Sequence, residues 1–354
     1  MTRDSGLGTG VALAGRLWRG GDAEPLDDAV VVVDRNGDVA AAGPATAVHV
    51  PDDVRRLVGA WVGPGVVDAH VHLAFADPVE LLAGGVVAAR DLGAPPALVA
   101  ELRARSAPPV LRLAGPLLTA PGGYPTRSWG ADGFAVGLHG PEDAAAVVRR
   151  LAADGVDVVK VAVEPAGGLP VPTPAELAAV VRAAHDGGLR VTAHALTAAA
   201  VERVLDAGVD ELAHTPVERL PEPVVHRIAA ADVPVVSTLQ TLVAQQDDDD
   251  APAANARALV TAGVPLVYGS DLDNAGTRPG VDPRELDRLA EAGLGRAGAL
   301  RAATDGSARL LGLSGRVEVG QPAALVLLPA DPLEQPEAWR APLAVLAGGR
   351  LLLP

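Results

Sequence analysis

Eight short runs rich in β-branched residues recur between residues 66 and 271, each separated from the next by a stretch that is mostly alanine-rich. The runs span 66–73, 85–91, 109–114, 156–164, 189–195, 209–215, 233–239 and 264–271. Such alternation marks repeated strand–helix–strand units, whose strands lie parallel and whose helices cover the sheet. Eight of them predict closure into a (β/α)8 TIM barrel, an α/β fold. Segments 141–154, 174–186 and 197–207 read as covering helices, and the first has acidic residues early and arginines late, as the helix dipole favours.

The flanks differ. Residues 11–61 and 315–353 carry strand-like runs (AVVVVD, GDVAAAG, RVEVG, AALVLLP) broken by Gly, Pro and Asp turns. They predict one small β-sandwich domain formed from both chain termini. The expected division is 1–61 and 312–354 for its two parts, with the barrel over 62–311. The acidic segment QQDDDDAPAA at 245–254 reads as a solvated loop at the barrel rim.

Composition narrows the chemistry. With 49% apolar residues in a chain of 354, a large core forms without disulfide or metal staples. The lack of cysteine removes thiolate ligands and thiol nucleophiles, leaving His, Asp, Glu, Ser and Lys. A net charge of -15 repels phosphate backbones and anionic lipid, so nucleic acid and membrane surfaces are poor partners, and a small neutral or locally cationic substrate fits better. No stretch is apolar enough for a signal peptide or a membrane span, which gives a cytoplasmic expectation.

The first barrel run reads Val67-Asp68-Ala69-His70-Val71-His72-Leu73. Alternate strand residues face the same side, so His70 and His72 can present two imidazoles to one metal ion. Lys160 lies in the fourth run, His194 in the fifth, His214 in the sixth and Asp271 at the end of the eighth. Each falls near the C-terminal end of its strand, the face where barrel active sites are built. Lys160 is the only lysine among 29 basic residues, so it holds a place arginine does not fill. Desolvation among valines lowers a lysine pKa; the neutral amine can take up carbon dioxide to form a carbamate, which a permanently protonated arginine cannot do.

Together with GPGVVDAHVHL at 63–73, GVVAARDLG at 85–93 and GALRAATDGSARLLGLSGRVEVGQPAALVLLPADPLE from 298, these residues make the chain resemble the amidohydrolase superfamily, in its imidazolonepropionase-like and prolidase-like branch. The resemblance covers nearly the whole chain. It implies a binuclear centre in which His70, His72 and Asp271 hold one metal, His194 and His214 hold the other, and carboxylated Lys160 bridges them. It further implies two divalent ions, zinc first with manganese, iron or cobalt compatible, and hydrolysis of an amide, cyclic amide or peptide-like C–N bond by a metal-activated hydroxide. Asp271 would be the general base and later the proton donor to the leaving nitrogen. Asp68 would serve as a hydrogen-bond partner behind the ligands.

Three of the eight aromatic residues, Tyr124, Trp129 and Phe134, fall in the long segment 119–140, a candidate pocket wall or lid. Tyr124, Arg127 and Trp129 are its expected substrate contacts; Arg127 suits a substrate carboxylate, and Tyr124 or His139 suits a developing oxyanion. Here the chain departs from the family, whose members often read TAPGGH where this one has TAPGGY at 119–124. His49, His185 and His226 are assigned no role. Competing readings are a lactone or ester hydrolase, a mononuclear deaminase and a non-catalytic ligand-binding barrel. The deaminase reading predicts an acid soon after the fifth-strand histidine, whereas Ala195, Leu196 and Thr197 follow His194 and Glu202 is the first acid. Expected partners are a small-molecule substrate and, as a homo-oligomer, further copies of the chain.

Overall fold

The computed structural model describes residues 3–105, 107–244, 250–274 and 276–353. Eight parallel strands, Val66–Val71, Val86–Asp91, Val110–Leu113, Val158–Ala162, Arg190–His194, Glu211–Leu212, Val235–Val236 and Leu266–Val267, fall inside the eight predicted runs and form the wall of a TIM barrel. First and eighth strands meet through Ala69 N–H donating to Tyr268 O at 3.1 Å and Asp271 N–H donating to His70 O at 2.9 Å. The third reaches the fourth through Asp157 N–H and Leu113 O at 2.8 Å. Valine, leucine and alanine on both faces bury most strand positions, as a sheet covered by helices requires; the exceptions are at the starts of the third and fifth strands, where Val110 and Arg190 are exposed.

The helices begin where local chemistry starts them. Pro141–Ala153 has Pro at its first position, where the missing N–H costs nothing. Pro174–Asp186 opens with a capping box, in which Thr173 Oγ1 accepts from Glu176 N–H while the Glu176 carboxylate accepts from Thr173 N–H. Ala198–Ala207 is capped by Thr197 and ends on Gly208 at φ 83°, a left-handed position that glycine occupies without strain.

Both chain ends build one eight-stranded sheet, in the order Arg3–Gly6, Arg350–Leu353, Ala344–Ala347, Ala324–Leu328, Arg55–Pro64, Gly10–Leu17, Leu26–Asp34 and Val39–Pro44. Alternate residues from its two halves, among them Val11, Leu13, Val31, Val33, Leu325 and Leu346, pack into one shared core, which makes the sheet a sandwich. Two expectations need correction. The run RVEVG at 316–320 is not a strand: it makes isolated contacts, Val317 N–H to Arg19 O and Gly320 N–H to Val39 O, and Arg316 instead binds Asp305. Of the expected acidic loop, 245–249 lie outside the described residues, and 251–254 are the first turn of helix Ala251–Thr261, with Asp250 exposed and paired to Arg219.

Inside the barrel, Arg90 Nη2 lies 2.5 Å from Glu211 Oε1, and both side chains are buried. The pair joins the second strand to the sixth behind Lys160. Removing either member of this pair would leave the other as an uncompensated buried charge.

Candidate metal centre

His70 is 1% exposed and His72 9%. Strand alternation aims both imidazoles at the same point, and their Nε2 atoms stand 3.3 and 3.4 Å from Asp271 Oδ1. One ligand atom from each of these three residues lies within 4.8 Å of the others, a spacing one cation can bridge. The eighth strand delivers Asp271 on a left-handed turn at φ 49°, secured by its N–H bond to His70 O. Gly269, just before it, is required by close approach: a Cβ there would lie 2.3 Å from Val236 Cγ1 and 3.1 Å from the Cβ of His70.

The other ligand-type residues converge on the same end of the barrel. The ring of His214 lies 4.5 Å from that of His70 and 4.8 Å from that of His194, and His214 Nδ1 is 3.9 Å from Asp271 Oδ2. Lys160 is 1% exposed, and its Nζ has no hydrogen-bond partner among the described residues. Burial brings its ammonium down from the ordinary 10.5 to about 7, against an opposing pull from Asp271. Burial, reinforced by the Lys160 cation, holds His70 and His214 well below the usual imidazole range, so both are neutral, the form that binds metal.

Supporting contacts fix which ring nitrogen faces the centre. His70 Nδ1 lies 2.9 Å from Ala213 O, a carbonyl that only accepts, so Nδ1 carries the proton and Nε2 is free for a cation. His214 Nδ1 is 3.1 Å from Thr238 Oγ1, and Thr238 adopts φ 43°, an uncommon conformation for a β-branched residue. Glu285 holds that turn by accepting from Leu239 and Gln240 N–H. Asp68 Oδ1 accepts from the N–H groups of His70 and Ser270, lacing the first strand to the eighth, while burial lifts its carboxyl to about 7.

His70, His72, Lys160, His194, His214 and Asp271 line a cavity of about 630 Å³ together with Tyr124, Trp129, Glu164 and an apolar wall that includes Phe75, Leu117, Leu169 and Leu242. Tyr124 stacks on His194 with ring centres 4.9 Å apart, and its hydroxyl accepts from Trp129 Nε1–H at 3.1 Å. Trp129 in turn meets His72 edge-on at 5.1 Å. Segment 119–140 thus folds over the centre. It returns to the sheet as the short strand Ala135–Gly137 beside Leu117–Thr119, and Phe134 stacks on Phe75.

Two residues expected at the site are not brought to the cavity. Arg127 is exposed and folds its guanidinium over Gly122. His139 is exposed, with its N–H bonded to Asp143, because the chain has already left the mouth to start helix Pro141–Ala153. Conversely, the sequence reading did not single out Glu164, whose Oε2 lies 3.4 Å from His194 Nε2 and whose Oε1 accepts from Ala166 N–H at 2.8 Å. Burial would lift its carboxyl, but these contacts hold it below the usual range. The available signal was an acid closing the strand run that carries Lys160.

Comparisons with known proteins point one way. The model of the amidohydrolase family matches residues 61–352. An imidazolonepropionase of Burkholderia cenocepacia is 46% identical over 55 residues, a stretch that covers 15% of this chain and only 14% of that enzyme's length. Among solved structures, a Xaa-Pro dipeptidase with methionine bound in its active site superposes with a TM-score of 0.83 at 22% identity, over 98% of this chain and 100% of the other. Phenylurea hydrolase B superposes at 0.78 and 22% identity, over 97% and 96%. At these identities the structural likeness is one of fold.

Proposed function

Because the chain belongs to the amidohydrolase family, whose members are metal-dependent hydrolases, we propose that it cleaves a C–N bond of an amide, cyclic amide or peptide-like substrate. The donor set fits divalent cations. His70, His72 and Asp271 would hold one, His194 and His214 a second, and Lys160, as the carbamate its neutral amine forms with carbon dioxide, would bridge them. Zinc suits imidazole and carboxylate donors first, with manganese, iron and cobalt compatible. The observation that carries the reading is the meeting of three ligand atoms within 4.8 Å beside a buried lysine whose Nζ has no hydrogen-bond partner among the described residues. A bare amine in that place is costly, whereas a carbamate between cations is satisfied. The names of the relatives, a dipeptidase and a phenylurea hydrolase, support peptide- or urea-type substrates.

When bound, the cations supply Lewis-acid polarisation of the scissile carbonyl and a more acidic water. Asp271 takes the proton from the attacking water and passes it to the leaving nitrogen, which needs a carboxylate on the water's side of the carbonyl. Tyr124 donates a hydrogen bond from its hydroxyl to the carbonyl oxygen as charge grows there, keeping its proton. Its oxygen already accepts from Trp129, which orients the O–H, and burial pushes its pKa up so that it stays protonated. Apolar side chains around the cavity keep bulk water from competing.

A hydrolysis panel of dipeptides, acyl amino acids, lactams and lactones, run on metal-loaded and chelator-treated protein, tests this reading. Metal-dependent release of amine from at least one amide supports it, and lactone or ester turnover alone would replace it. On the best amide, Tyr124→Phe is expected to lower kcat on the order of 100-fold with KM nearly constant. A rise in KM at unchanged kcat would show that Tyr124 only binds substrate.

A further inference from the structure

The charged groups of the cavity are unevenly distributed. Apart from Lys160 and the histidines, its ionisable lining is Glu164, Asp271, Asp273 and Tyr124. Among the described residues no arginine lines it, although 28 of the chain's 29 basic residues are arginines. Once Lys160 is a carbamate, no side-chain cation is left to meet a substrate carboxylate. Such a group would face Glu164 within the cavity and Asp273, exposed at its mouth.

Glu164 is placed to do the opposite. Its side chain is 9% exposed, and Ala166 N–H fixes one of its oxygens. The imidazole of His194 carries Tyr124 stacked on its ring and Glu164 at its Nε2. Tyr124, whose hydroxyl is assigned to the carbonyl oxygen, and the carboxylate of Glu164 therefore both neighbour one ring and line the same cavity, so a substrate group paired with Glu164 lies on the acyl side near the scissile carbonyl. A dehydrated carboxylate there is best satisfied by a cationic donor. The excess of negative charge over the whole chain draws the same class of molecule inward.

Resting on the hydrolytic reading above, we infer that Glu164 is a specificity-determining residue that pairs with an ammonium group close to the scissile carbonyl. The preferred substrates are then aminoacyl amides with an uncharged leaving amine, while amides bearing a carboxylate at the same position are poor substrates. The apolar wall takes the leaving group.

Three isosteric amides with one common leaving amine, carrying an ammonium, a methyl or a carboxylate group at the same acyl position, test the inference on the metal-loaded enzyme. The expected order of kcat/KM is ammonium, then methyl, then carboxylate. Glu164→Gln keeps an oxygen for Ala166 N–H and removes only the charge. It should lower the ammonium-to-methyl ratio by 10- to 100-fold, on the order of one charge-assisted hydrogen bond, mostly through KM. Preference for the carboxylate amide in the wild type would overturn the inference. So would an equal loss on all three amides in Glu164→Gln accompanied by loss of metal, because Glu164 would then only hold His194. Calorimetry with butylamine and butyrate separates the two readings. If no amide is cleaved but butylamine binds the wild type and not the variant, hydrolysis falls and the cation site stands; tighter butyrate binding removes the cation site alone.

Discussion

Lys160→Arg is expected to lower kcat/KM at least about 1000-fold, roughly 4 kcal/mol of transition-state stabilisation, and to reduce bound metal from about two ions per chain. Arginine keeps a positive charge but stays protonated, so it cannot add carbon dioxide, and it places a permanent cation where the account needs a bridging anion. Some loss of stability, about 1–3 kcal/mol, should accompany it, because Lys160 is 1% exposed and arginine is larger. Lys160→Met separates the two effects, since it removes the charge at similar length. It should be as inactive as Lys160→Arg, yet its metal-free form should be more stable near neutral pH than the metal-free wild type. The sign follows from linkage. Burial holds the Lys160 pKa at about 7 when folded against 10.5 when free, so between these values the unfolded chain binds more protons and stability rises with pH. Below about pH 7 the full penalty of a buried ammonium is present. Melting curves of metal-free protein should therefore show a Tm gap between Lys160→Met and wild type that narrows from pH 7 upwards. Turnover in Lys160→Arg within tenfold of wild type would contradict the bridging role.

Asp271→Asn should cost on the order of 10³- to 10⁴-fold in kcat, more than a single oriented hydrogen-bond donor would. Its Oδ1 stands within reach of both imidazoles of the first pair and its Oδ2 faces His214, so one carboxylate serves as ligand and as proton carrier. Asparagine retains one oxygen for the cation and cannot accept the proton. Metal content should consequently fall less than activity does. Asp273→Asn, two residues on at the exposed mouth, should cost less than about tenfold. Equal losses at the two positions would move the general base away from Asp271.

The barrel was legible because its signals are periodic. Two-residue alternation put His70 and His72 on one face, and the uniform placement of Lys160, His194, His214 and Asp271 near strand ends followed from the direction every parallel strand shares. A single lysine in an arginine-rich chain marked Lys160 from composition alone. Features set by loop paths were legible only in part. Tyr124 and Trp129 reach the cavity as expected while Arg127, between them, turns outward to Gly122, because residues of an irregular segment face the cavity with no fixed period. Glu164 and Thr238 act through contacts with histidines far away in sequence, and neither belongs to a spacing pattern that could announce it. At 316–320 the alternation RVEVG mimics a strand; instead of a ladder it makes isolated backbone bonds, among them Val317 N–H to Arg19 O and Gly320 N–H to Val39 O.

Elemental analysis of the purified protein, with activity followed during chelation and reloading, tests the metal centre most directly. The account predicts about two divalent ions per chain, with activity lost as they are withdrawn and restored when they return, and neither ion retained in full when His70, His194 or Lys160 is replaced. Full hydrolytic activity in protein stripped of metal, or a chain that takes up no divalent ion on reloading while still cleaving an amide, would contradict it.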